Sequence, residues 1–120
     1  MFETSLVSRL SPLAANLYPL VAPKDYVTPA CVYNRSDTAP TSDFAPGTTN
    51  AQIWLQIDVY DLTYLGAKSL AESIRKYLET WSDNEVQAVQ WTNEHDMIDN
   101  TTETELYRTM LSFTAYVNLD

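Results

Sequence analysis

His95 is the only imidazole in this 120-residue chain, and it stands between two acids in Glu94-His95-Asp96, with Asp99 close behind. Such a group invites a metal ion or an acid–base pair, because imidazole and carboxylate both bind cations and exchange protons. Read as a strand, the run turns neighbouring carboxylates to opposite faces, which argues against convergence on one ion. It also lies near a turn, where acids are common. Glu103 and Glu105 share a face and could approach Asp96 across a hairpin, but paired carboxylates need burial to act as general acids, and nothing in the pattern buries them. Cys31, the single thiol, falls in a predicted strand and reads as a buried structural residue. Asp58 and Asp61 are placed to cap the helix that follows them. With only Gly47 and Gly66 as glycines there is no GxGxxG or P-loop to cradle a phosphate. No catalytic set and no cofactor emerge from the residues. A rival reading keeps the acids from Glu94 to Glu105 as a divalent-metal site in a small α+β domain.

The elements that position these groups follow from hydrophobic periodicity. Phe2, Leu6, Leu10 and Leu13 make a helical stripe, interrupted at Ser11-Pro12, so two short helical pieces are expected with Asn16 as a C-terminal cap. From Tyr18 to Arg35, Pro19, Pro23 and Pro29 impose a stretched connector, and Pro29 opens a strand over about Val27 to Ser36. A loop rich in Thr, Ser, Pro and Asp spans Asp37 to Asn50 and holds one large apolar residue, Phe44. Ala51 to Tyr60 alternates cleanly: Ile53, Leu55, Ile57 and Val59 face one way, Gln52, Trp54, Gln56, Asp58 and Tyr60 the other. A helix over about Thr63 to Trp81 carries Ala67, Leu70, Ala71, Ile74, Tyr77, Leu78 and Trp81 on one stripe. Val86 to Met97 is a strand whose apolar parity changes near Ala88, which a bulge would reconcile. Glu105 to Val117 is the last strand, with Arg108, Ser112, Thr114 and Tyr116 opposite its apolar face. The expected fold is a single α+β domain over 1–120. It has two layers: a four-stranded antiparallel sheet of two hairpins, and helices packed on one face, in the order α-β-β-α-β-β.

Bulk properties narrow the function. The net charge of −9 is unevenly spread: no Lys or Arg lies between Lys76 and Arg108, where eight acids fall. Such a surface repels phosphate and lacks the basic footprint of a nucleic-acid binder. No apolar run approaches the ~20 residues of a membrane helix. The lone cysteine points to a reducing compartment, and the chain reads as soluble and cytosolic. Trp54 and Tyr60 lie opposite the Ile-Leu-Ile-Val face. They are either interface anchors on an uncovered sheet face or are covered by a helix or the long loop.

Several segments resemble the tail-completion, or tail-terminator, proteins of long-tailed bacteriophages. They are the N-terminal helical pieces, Tyr18-Pro19 and Ala22-Pro23 leading to Pro29 and Val32-Tyr33, and Gln56-Ile57-Asp58-Val59-Tyr60 followed by the alanine-bearing helix. The closing strand, Tyr107 to Tyr116, completes the likeness. The resemblance implies a non-enzymatic virion protein, made in the host bacterial cytoplasm and placed in the tail's neck region. It further implies a homo-oligomeric ring of about six copies that caps the tail tube and joins it to the head. The tail tube protein and a head-completion protein would be neighbours, and DNA would pass through without specific binding. Another neck or head-closure connector is the nearest alternative. Asp43, Phe44, Trp54, Tyr60, Arg108 and Tyr116 are the candidate partner contacts, Phe44 as an anchor that orders on assembly.

Overall fold

The structure is a computed structural model that describes residues 2–14, 16–22, 27–40, 50–99 and 106–118. Its elements are α1 (Phe2–Leu10), β1 (Leu17–Pro19), β2 (Ala30–Pro40), β3 (Asn50–Asp61), α2 (Tyr64–Glu79), β4 (Val86–Asp99) and β5 (Leu106–Asn118). The expected four-stranded antiparallel sheet in the order α-β-β-α-β-β is not what forms. Five strands lie in the order β1-β2-β3-β5-β4, and β1 runs parallel to β2, so the sheet is mixed. The added strand comes from the proline-punctuated connector. Leu17, Tyr18 and Pro19 pair with Cys31, Val32 and Tyr33, and the Cys31 amide donates to the Asn16 carbonyl at 2.8 Å. Three residues show no periodicity, and a sheet edge tolerates Pro19 because the outer side of that strand needs no donor.

β3 and β5 form the centre. Their register runs unbroken from Asn50↔Asn118 to Asp61↔Tyr107. Ala51, Ile53, Leu55, Ile57 and Val59 meet Leu111, Phe113, Ala115 and Val117 on one side, and all are buried. Each large side chain there contributes about 2 kcal/mol by leaving water. The outer pairs carry the irregularities: β2 slips against β3 between Arg35 and Asp37, and β4 slips against β5 between Val86 and Ala88 and again between Trp91 and Asn93. The parity change near Ala88 thus resolves as bulging on both sides of that residue.

Both helices deliver apolar stripes to the same core. α1 contributes Phe2, Leu6 and Leu10, spaced four apart. It stops at Leu10, and the Ala14 amide turns back to the Leu10 carbonyl at 2.9 Å, so no second helical piece begins at Pro12. Asn16 is not a helix cap either: its Nδ2 donates to the Pro29 carbonyl at 3.2 Å and ties the connector to β2. α2 opens on Thr63, whose hydroxyl accepts from the Gly66 amide at 3.0 Å. A Cβ on Gly66 would lie 2.2 Å from the Asp61 carboxylate and 2.7 Å from the Thr63 hydroxyl, so only glycine lets both close on the helix start. The helix buries Ala67, Ala71, Ile74 and Leu78 and ends at Thr80. Trp81 follows, buried and stacked on Phe2 with ring centroids 5.7 Å apart, which locks the two helices together.

Asp83 holds the turn from α2 to β4. One oxygen accepts from the Glu85 and Val86 amides, both at 2.8 Å, and the other from the Trp81 indole at 2.8 Å. The Val86 amide, then the indole and the Glu85 amide, hold its carboxyl below the ordinary carboxylate value. The folded state therefore binds fewer protons here than the unfolded one. Its contribution is present above the unfolded value and fades as pH falls through the folded one. Asp83→Ala should cost about 1 kcal/mol in urea denaturation at pH 7, and the gap from wild type should close below about pH 4.

Candidate assembly surface

Because paired strands share a face, the β3–β5 register fixes what stands opposite the helices. Gln52, Trp54, Gln56, Asp58 and Tyr60 lie across from Tyr116, Thr114, Ser112, Met110 and Arg108. Four sequence-predicted contacts, Trp54, Tyr60, Arg108 and Tyr116, are therefore brought to one sheet face. Trp54 is 36% exposed, while Tyr60 and Tyr116 are half-buried. Asp43 and Phe44 lie outside the described residues.

An ion pair anchors this face. Arg108 Nη2 donates to Asp58 Oδ2 at 2.9 Å, and Gln56 Nε2 donates to Asp58 Oδ1 at 3.3 Å. The guanidinium lies 5.5 Å from the centroid of the Tyr60 ring, and its Nη1 is 3.5 Å from the Met97 sulfur. Asp58, read from sequence as a helix cap, is 7% exposed and belongs to this pair instead. Asp61 serves the helix start, accepting from the Leu62 amide at 2.7 Å. The pair links β3 to β5 directly and β4 through Met97, so it fixes the cross-strand geometry at the Tyr60 end of the face.

The acids around His95 are also placed differently from expectation. Glu94 and Asp96 are two residues apart, share the helix-side face of β4, and both accept from the Lys68 ammonium, Asp96 at 3.1 Å. The hydrogen bond that it donates to Glu94 holds Lys68 above the ordinary lysine value, outweighing its partial burial, and Asp96 adds to it. The ammonium occupies the point where a cation bound by these two carboxylates would sit. His95 faces away, paired with Met110 across the strands. Among the described residues no three His, Cys, Asp or Glu side chains gather around a common point. Glu103 and Glu105 lie outside the described residues. Cys31 is buried, and its thiol is pushed up to about 12 by desolvation, so it is unreactive near neutral pH. The Lys68 clamp had no signal in the sequence, because it joins positions on α2 and β4 that only packing brings together.

Residues 4–118 match the family model described as "Tail completion protein gp17". The chain belongs to that family, and it is a structural component of a phage-type tail. One solved structure that shares its fold is described as "Virion of native gene transfer agent (GTA) particle". It superposes with a TM-score of 0.67 at 18% identity over 94% of this chain and 84% of that one. A search of curated protein sequences returned no match. No described helix is long and apolar enough to cross a membrane.

Removing one partner of a buried ion pair leaves a stranded charge. Arg108→Met should therefore cost about 3 kcal/mol in urea denaturation, and pairing it with Asp58→Leu should recover most of that loss. Additive losses in this double-mutant cycle would refute the coupling.

Proposed function

We propose that this chain is a non-enzymatic tail completion subunit. It closes into a homo-oligomeric ring at the head-proximal end of the tail, caps the tube, and offers a surface on which the head is joined. The observation that carries the reading is the sheet face opposite the helices. There Tyr60 stands beside an Arg108 held in position by Asp58, and Trp54 and Tyr116 lie further along the same face. Prearranged aromatics and arginine are the residue types that anchor protein interfaces.

A ring needs heterologous contacts, in which one surface of a copy meets a different surface of the next. The open β1 rim of the sheet and the face that carries Trp54 are two such unlike surfaces. The family's likeness supports the tail tube protein and a head-completion protein as the ring's neighbours. The net charge of −9 on each copy supports a passage that DNA traverses without adhering, since phosphate meets a surplus of like charge.

The same charge makes copies repel one another. Self-association measured by light scattering should grow with protein concentration and strengthen as salt rises from about 0.05 to 0.5 M, where repulsion is screened. Trp54→Arg should leave the melting temperature within about 3 °C of wild type, because the side chain is partly exposed, yet abolish the larger species. A monomer at every concentration and salt, together with failure to join tails to heads in a complementation assay, would reject the reading.

A further inference from the structure

The outer edge of β4 is a long stretch of backbone with unused pairing capacity. Of the strand's 14 residues, all but Gln87 and Thr92 pair with β5 on one side, and among the described residues no strand lies on the other. An open edge accepts another strand, and the side chains flanking it decide which strand fits.

On the helix side, β4 presents Trp91, Glu94, Asp96 and Ile98, paired in turn with Phe113, Leu111, Thr109 and Tyr107. The pattern is apolar, acid, acid, apolar. Trp91 is 39% exposed and Ile98 58%, and a cavity of about 330 Å³ lined by Tyr64, Met97, Ile98 and Tyr107 lies at the Ile98 end. The two carboxylates share a single ammonium, so one negative charge is left over. The other face of the strand carries Asn93, His95 and Met97, none of them a carboxylate.

Side chains directly opposite on adjacent strands stand about 5 Å apart, where like charges repel and opposite charges attract. A second β4 would set acid against acid. Other parts of this chain have little to offer, because every Lys and Arg among the described residues is already engaged. Arg9 binds the Tyr77 carbonyl, Arg35 binds Glu3, Arg75 binds Glu79, Lys76 binds Glu72 and Arg108 binds Asp58. Among the described residues no basic side chain is left over, which favours a separate polypeptide as the source of the complementary charge.

We propose that the outer edge of β4 binds an extended basic segment of a different polypeptide, reading apolar-x-basic-x-basic-x-apolar, by β-augmentation. Backbone hydrogen bonds supply the pairing. The two basic side chains displace the shared Lys68 ammonium, giving Glu94 and Asp96 a cation each, and the flanking apolar ones lie beside Trp91 and at the Ile98 cavity. This deepens the assembly reading by giving one rim of the subunit a partner of stated chemistry, while leaving ring closure to other surfaces.

The test is fluorescence anisotropy of the full chain with a labelled peptide, acetyl-Val-Thr-Lys-Thr-Lys-Thr-Val-amide, whose palindromic pattern fits in either direction. Saturable binding is expected, weakening about tenfold when Glu replaces both Lys, and about tenfold in the Glu94→Gln/Asp96→Asn variant. In an extended strand alternate amides point to opposite sides, so N-methylation of one alternating set should abolish binding while the other set is tolerated. No binding, equal binding by the Glu peptide, or indifference to both methylation patterns would overturn the proposal. Mass photometry of the same samples separates it from ring formation. Peptide binding lost with rings intact sinks this inference alone, and rings absent with peptide bound sinks only the assembly reading. Peptide that dissolves the rings assigns the edge to a second copy and also overturns the proposal.

Discussion

Side chains on a β-strand point alternately to its two faces, and the unbroken β3–β5 pairing makes this alternation govern the whole molecule. The register that buries Ile53, Leu55, Ile57 and Val59 against Leu111, Phe113, Ala115 and Val117 simultaneously turns Trp54, Tyr60, Arg108 and Tyr116 outward. A slip of one residue would exchange the two sets. Core and candidate contact surface are therefore not separate designs. Both depend on one set of backbone hydrogen bonds, with α1 and α2 covering the side they make apolar.

Charge is distributed by the same logic. The chain carries more than twice as many acids as bases, and its described bases are consumed internally: across β3 and β5 by Arg108, between α2 and β4 by Lys68, and along α2 by Arg75 and Lys76. The exposed helical pairs contribute little to stability. The more enclosed Asp58–Arg108 pair instead constrains geometry, since neither member can leave without stranding the other. What remains is an anionic exterior that repels phosphate and discourages random association between copies.

Much of the fold was legible where periodicity was long. The β3 alternation, the α2 stripe and the last strand appear in the structure within a residue or two of where the sequence placed them. Two kinds of feature were not. β1 is three residues from a proline-rich connector, and its pairing depends on Cys31 and Tyr33 being held nearby by the rest of the sheet. Thr63 caps α2 while Asp58 does not, because Asp58 lies within a strand and its carboxylate is claimed by Arg108, fifty residues away in sequence. The candidate face was readable as parity, but the contacts that organise it were not.

The sequence by itself determined which side chains of β3 and β5 share a face, that no glycine loop could hold a phosphate, and that the chain is acidic, because these follow from spacing and composition alone. Tertiary structure decided that the sheet is mixed, that Glu94 and Asp96 meet Lys68, and that Asp58 meets Arg108. Each of these joins segments far apart in the chain. Their proximity arises only when the core closes, and no local pattern encodes a distance that packing has yet to create.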